Sequence, residues 1–172
     1  MIILIHIGKC GGSSLISALK GNVKVKHIQM VTWEPNSVII IRNPVQRFIS
    51  AFNWRFHLVV EKGQQQDRFP GEKELLLKGI HAFIKNPIGY IHHIHEDIYF
   101  YLNQFDFTKP VKIITTENLK ADALKILNVN VDVHLNQNKK ETIVDYDTLK
   151  KYLIIEKMKH LLSEEQYNNL SN

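Results

Sequence analysis

The sequence is short of cysteine, of long apolar runs and of charge of one sign, and each shortage closes a class of protein. The single cysteine, Cys10, excludes an internal disulfide framework and cannot by itself build a structural zinc knuckle. The apolar start, Met1 to His6, is too short to span a bilayer, and no later run reaches the length of a membrane helix. That start also lacks the basic residues and small-residue cleavage site of a secretory signal, so a soluble cytoplasmic protein is expected. The 22 Lys and Arg exceed the 17 Asp and Glu by five, an excess that suggests an anionic partner without naming one. The charge is not gathered into a basic stripe interleaved with aromatic residues, which argues against nucleic acid. Repeats, low-complexity tracts and linkers are also missing, so residues 1–172 are expected to form a single domain.

What is present reads as globular. Hydrophobic residues make up 44% and charged residues 23% of the chain. A chain of this size can bury about 70% of its unfolded surface. Short apolar runs alternate with longer amphipathic stretches, the pattern of an α/β fold with a central, mostly parallel sheet flanked by helices. Ile2 to Ile7, Val23 to His27, Ser37 to Ile41, Val111 to Thr115 and Val129 to Val133 are the expected strands, with Ser37 to Ile41 the best central one. Helices are expected from Ser13 to about Lys20, from Pro44 to about His57, over Glu72 to Ile84, over Ile88 to Asn103, near Glu117 to Leu127 and in the C-terminal part. Asn43 and Pro44 suit an N-cap and a first helical position, and Ser163 with Gln166 has the spacing of a capping box. Glu61 to Gly71 reads as an exposed, mobile loop and a candidate lid.

The first strand ends in Gly8-Lys9-Cys10-Gly11-Gly12, and Ser13-Ser14 opens a helix. Glycines let the backbone turn tightly and approach an anion, a helix start offers free N–H donors, and Lys9 adds positive charge. Such a loop suits a phosphate or sulfate, although a plain glycine-rich turn with an exposed lysine satisfies the same residues. It is neither a Walker A loop nor Gly-x-Gly-x-x-Gly, because Lys9 precedes the glycine pair. A second feature follows the central strand, where Arg42 stands at the carboxyl end and Ser50 on the succeeding helix. Ligands of open parallel sheets lie beyond the carboxyl ends of the strands, so Arg42 and Ser50 could grip a second phosphate. The alternatives are a surface ion pair for Arg42 and a backward hydrogen bond for Ser50.

Together these segments resemble a known family. His6 to Ser14 is similar to the His-x-Pro-Lys-x-Gly-Gly-Thr-Ser loop of sulfotransferases that use 3′-phosphoadenosine 5′-phosphosulfate (PAPS), and Arg42 to Phe52 to their Arg-Asp-Pro-x-x-Arg-Phe-x-Ser-x-Phe segment. The nearest branch contains the heparan sulfate 2-O- and 6-O-sulfotransferases. The strong matches cover residues 5–20 and 37–54, with Gly8 in place of Pro, Ser13 of Thr and Asn43 of Asp, and with Cys10 where Thr is common. Ile113 to Leu119 and His134 to Asn138 are weaker echoes, and Lys139 and Lys140 could reach a 3′-phosphate or simply be solvated.

The resemblance implies a P-loop-like three-layer fold and O-sulfotransferase activity on a carbohydrate or other hydroxyl acceptor, with PAPS as donor and no metal required. Lys9 would contact the leaving oxygen, the backbone of Cys10, Gly11, Gly12, Ser13 and Ser14 would cradle the 5′-phosphosulfate, and Arg42 with Ser50 would bind the 3′-phosphate. The general base would be His27, at the end of the second strand, or Glu34; His27 could equally be an exposed strand-end histidine. Arg55, Lys62, Arg68 and Lys78 could guide an anionic acceptor or merely solvate the surface. The chain is shorter than typical catalytic domains of this branch, so its acceptor pocket is expected to be abbreviated, open, or completed by a partner subunit such as a second copy.

His92-His93-Ile94-His95-Glu96-Asp97 admits three readings: a metal site on one helix face, a helix lining the acceptor groove, or a polar face over a Tyr and Phe core. Two other functions compete with sulfuryl transfer. One is a nucleotide kinase-like phosphoryl transferase, which lacks its Walker loop and metal-binding acid. The other is a noncatalytic nucleotide-binding protein of the same fold.

Overall fold

Runs of Ile and Val become strands because their branched side chains suit a pleated surface covered on both faces. In the computed structural model, which describes residues 1–27, 34–85, 89–132 and 144–172, β1 spans Ile2–His6, β2 Val23–His27, β3 Ser37–Ile41 and β4 Lys112–Thr115. The four strands pair in parallel in the order β2-β1-β3-β4, flanked by helices in a three-layer α/β arrangement. The most apolar strands take the centre: Leu4, Ile5, Ile39 and Ile40 are completely buried. β2 lies at an edge and carries the exposed Lys24 and the half-buried Lys26, whose ammonium pairs with Glu34. His6 stands opposite both His27 and Ile40, and Ile41 opposite Thr115, so the strands finish nearly level.

The α-helices among the described residues are α1 (Gly12–Ala18), α2 (Pro44–Arg55), α3 (Glu72–Lys78), α4 (Ile80–Lys85), α5 (Ile98–Leu102), α6 (Leu119–Leu127), α7 (Tyr146–Tyr152) and α8 (Glu164–Ser171), with a 3-10 helix over Ile155–Leu161. The chain gathers into two compact units. One comprises Met1–Asn43, Ile98–Gln137 and Ile155–Asn172, and so contains the sheet; the other comprises Pro44–Asp97 and Asn138–Ile154.

In the sheet-bearing unit, buried Asp122 organises the turn from β4 into α6. Its Oδ2 accepts from the Thr115 amide and hydroxyl, both at 2.8 Å, and its Oδ1 from the Asn118 side chain at 2.9 Å. Ser163 and Gln166 form the expected capping box at the start of α8. The Gln166 side-chain Nε2 also donates to the Ile113 carbonyl at 2.9 Å and to Asp122 Oδ2 at 3.2 Å.

The second unit is organised around charge. Arg55, with no exposed surface, is gripped by Glu72, itself 1% exposed: Nε donates to Oε1 at 2.8 Å and Nη2 to Oε2. Gln65 accepts from Arg55 Nη1 at 3.0 Å, and the guanidinium lies 5.5 Å from the Phe69 ring centre. Arg55 therefore does not belong to an acceptor-guiding surface. Its partner lies 17 residues downstream, and a bidentate, hydrogen-bonded carboxylate compensates much of the cost of burying the charge. Arg47 is buried too, donating from Nη1 to the carbonyls of His93 at 3.3 Å and Glu96 at 3.1 Å.

Four local expectations are corrected. Glu72 to Ile84 is two helices, because Gly79 leaves helical geometry at φ 88° and ψ 165°. In the Ile88 to Asn103 stretch only Ile98–Leu102 is helical, and the described residues before it form turns, with His93 at φ 66°. Side chains there serve the backbone in place of the helical ladder: Glu72 accepts from the His92 amide at 2.9 Å, Glu96 from the His93 amide at 3.3 Å, and Arg47 holds the carbonyls. Val129 to Asp132 is not a strand; Asn128 closes α6 in the left-handed region at φ 55°, and Val129 donates back to the Ala123 carbonyl. The α2 helix gives way at Phe56 to a π-helical turn through Glu61. The His134 to Lys140 segment lies outside the described residues.

Candidate active site at the carboxyl ends of β1 and β3

Strand order decides where a ligand can sit. With β2 on one side of β1 and β3 on the other, the strand order reverses between β1 and β3, the position beyond whose carboxyl ends open parallel sheets bind their ligands. The Lys9 loop leaves one of these strands and Arg42 the other. Arg42 Nη1 donates to the Lys9 carbonyl at 3.3 Å, so the two features read separately from sequence meet here.

The loop is built from left-handed residues and protein-facing carbonyls. Lys9 has φ 68° and Gly11 φ 76°, the latter forming the N-cap of α1. The Cys10 amide donates to the Ile7 carbonyl at 3.3 Å and the Ser14 amide to the Gly11 carbonyl at 3.2 Å, so both of these amides are engaged by the loop's own carbonyls. Helix geometry leaves the amides of the first turn, at Gly12 and Ser13, without intrahelical acceptors. A Cβ on Gly12 would stand 2.1 Å from the His6 ring, so the missing side chain is what lets His6 lie over the loop. Cys10 is fully buried and Ser14 nearly so, whereas Lys9 and Ser13 are half-buried.

The end of β4 completes this corner. The Thr116 hydroxyl, with one proton to give, lies 2.8 Å from the Cys10 carbonyl and 2.9 Å from the Ile41 carbonyl; the Thr116 amide already donates to Ile41, which leaves the hydroxyl for Cys10. Glu117 Oε1 accepts the Asn43 amide at 2.8 Å, while the Asn43 side chain donates to the Leu170 carbonyl at 2.6 Å. Surrounding protein pushes the Glu117 carboxyl above the usual range, against the opposing pull of the Asn43 amide and the Arg42 charge. Thr116 was not singled out by sequence reasoning. The signal was its place directly after β4, level with the ends of β1 and β3.

The base candidates separate. His27 closes β2 opposite His6, so its backbone stands at the same end of the sheet as the Lys9 loop. Glu34 lies three residues before β3, whose first residue Ser37 pairs with Ile3, and so stands near the opposite end of the strands. Its carboxylate is paired with Lys26, and its carbonyl accepts the Ser37 hydroxyl at 2.6 Å. Ser50 lies half-buried on α2, in the second unit.

In that second unit the histidine cluster packs with aromatics. The His92 ring stacks 4.7 Å from Phe69, and the Tyr90 hydroxyl donates to Glu96 Oε1 at 2.7 Å while lying 3.1 Å from His92 Nδ1. Burial holds the His92 pKa below its ordinary value, helped by the Arg55 and Arg68 charges and opposed by Glu96 and Glu72. Among the described residues, no group of three or more His, Cys, Asp or Glu is disposed to hold a metal ion, and no helix is long and apolar enough to cross a membrane. Compared with protein-family models, curated proteins and solved structures, the chain matches none.

Proposed function

We propose that the chain is a cytoplasmic PAPS-dependent O-sulfotransferase acting on a hydroxyl acceptor, most simply a carbohydrate. One observation carries the reading: the Lys9 loop and Arg42, each drawn from a sulfotransferase-like segment, lie side by side where the strand order reverses between β1 and β3 and are hydrogen bonded. The residues fit the donor. Gly11 and Gly12 leave no Cβ over the loop, and Lys9 and Arg42 supply two positive charges for a nucleotide with phosphates at both ends.

PAPS, when bound, supplies the activated sulfuryl group. Lys9 would neutralise charge gathering on the leaving phosphate oxygen, and amides of the loop would hold the group in line. Arg42 would recognise the 3′-phosphate, which ordinary adenosine monophosphate lacks. His27 would take the acceptor hydroxyl proton as the new oxygen–sulfur bond forms and the bond to the phosphate oxygen breaks.

Calorimetric titration with adenosine 3′,5′-bisphosphate and with adenosine 5′-monophosphate tests this reading. Micromolar affinity for the bisphosphate and much weaker binding of the monophosphate are expected; equal or absent binding of both would overturn it. Bisphosphate binding without transfer to any hydroxyl acceptor would instead favour a noncatalytic nucleotide-binding protein. Where transfer is found, Lys9→Ala is expected to lower its rate by at least about a hundredfold with the fold retained.

A further inference from the structure

The loop's carbonyls suggest how its amides are aimed. In a trans peptide the C=O and the following N–H point in opposite directions. A donor that fixes the carbonyl of one residue therefore fixes the direction of the next residue's amide. Arg42 fixes the Lys9 carbonyl and Thr116 the Cys10 carbonyl, so the Gly11 N–H is turned away from Thr116.

Building on the sulfotransferase reading, we propose that Thr116 is a positioning residue for the anion loop, aiming the Gly11 amide by holding the carbonyl of Cys10. Two features separate this role from ordinary packing. The Thr116 amide already donates to the Ile41 carbonyl at 2.8 Å, so Ile41 keeps a donor when the hydroxyl is removed; the hydroxyl's distinct task is the Cys10 carbonyl, 106 residues away in sequence. The side chain also approaches the loop where it is barest. A Cβ on Gly11 would stand 3.2 Å from Thr116 Cγ2, so the threonine faces the loop at a left-handed residue that has no side chain. The loop is thereby held from β4, a strand that contributes none of its residues.

The test compares wild type, Thr116→Val and Thr116→Ser by hydrogen exchange of the peptide covering residues 8–15, and by titration with adenosine 3′,5′-bisphosphate. Thr116→Val, which keeps the shape and loses the donor, is expected to speed exchange in that peptide by about tenfold and to weaken bisphosphate binding by a similar factor. Thr116→Ser is expected to restore both to within about twofold. Should Thr116→Val fail to fold, Thr116→Ala takes its place in the comparison. Wild-type exchange in the loop of the valine variant, or a serine variant as impaired as the valine one, would overturn the proposal. A wild type that ignores the bisphosphate while Thr116→Val still loosens the loop would overturn the sulfotransferase reading and leave Thr116 as the residue that holds the loop.

Discussion

In the sheet-bearing unit buried and half-buried polar side chains hold backbone: Asp122 takes the Thr115 amide, Thr116 the Cys10 carbonyl, and Asn43 the Leu170 carbonyl. In the second unit the central buried pair holds itself, Arg55 against Glu72, with the His92 amide and Gln65 filling remaining positions. The difference is one of risk. A lost side chain–backbone hydrogen bond costs about 0.5–3 kcal/mol, whereas stranding one member of a buried ion pair costs about 3–5 kcal/mol. The sheet unit can absorb single losses, while the second unit depends on a few residues acting together.

The largest effect should therefore come from Glu72→Ala, which leaves the Arg55 guanidinium buried without its carboxylate. Urea denaturation should show a loss of about 3–5 kcal/mol, and the double variant Arg55→Met, Glu72→Leu should recover most of it. A double variant as unstable as the single one would erase the contrast between the units. A smaller effect is expected at the glycine loop after β1. Gly12→Ala drives a methyl into the His6 ring and should cost about 1–3 kcal/mol, and adding His6→Ala should make the pair clearly non-additive.

The smallest effect is on pH dependence. The folded protein holds the His92 pKa below the usual value near 6.5, so the unfolded chain binds that proton more readily. The stability associated with neutral His92 is present above that value and is lost as the pH falls through it. His92→Gln should flatten the pH dependence of the denaturation midpoint between about pH 7 and 5. An unchanged slope would assign that dependence to other groups.

Much of the sheet unit was legible in the sequence because its determinants are local. A run such as Ile39, Ile40 and Ile41 has one good use, and Pro44 and the Ser163 box each announce a helix start within a few residues. The turn from β1 into α1 was legible for the same reason, its glycines standing directly behind an apolar strand. Arg55 and the turns around His93 were not. A basic residue on an amphipathic helix reads as solvated unless its acid is known, and here that acid is on another helix. The spacing of His92, His95 and Glu96 fits a helix, but carboxylates from Glu72 and Glu96 take the amides that a helix would have paired internally. Thr116 escaped notice because its partners are remote in sequence and become neighbours only once strand order is known.

The Gln166 side chain has a consequence for how copies of this chain meet. A parallel sheet that ends in an open strand offers its carbonyls and amides to any passing strand, the usual start of edge-to-edge aggregation. At β4 the carbonyl of Ile113 is already engaged by a side chain from α8, and at the opposite edge β2 presents the exposed Lys24 to an incoming neighbour. The C-terminal helix thus does for β4 what charge does for β2: it discourages the sheet from growing into the next molecule.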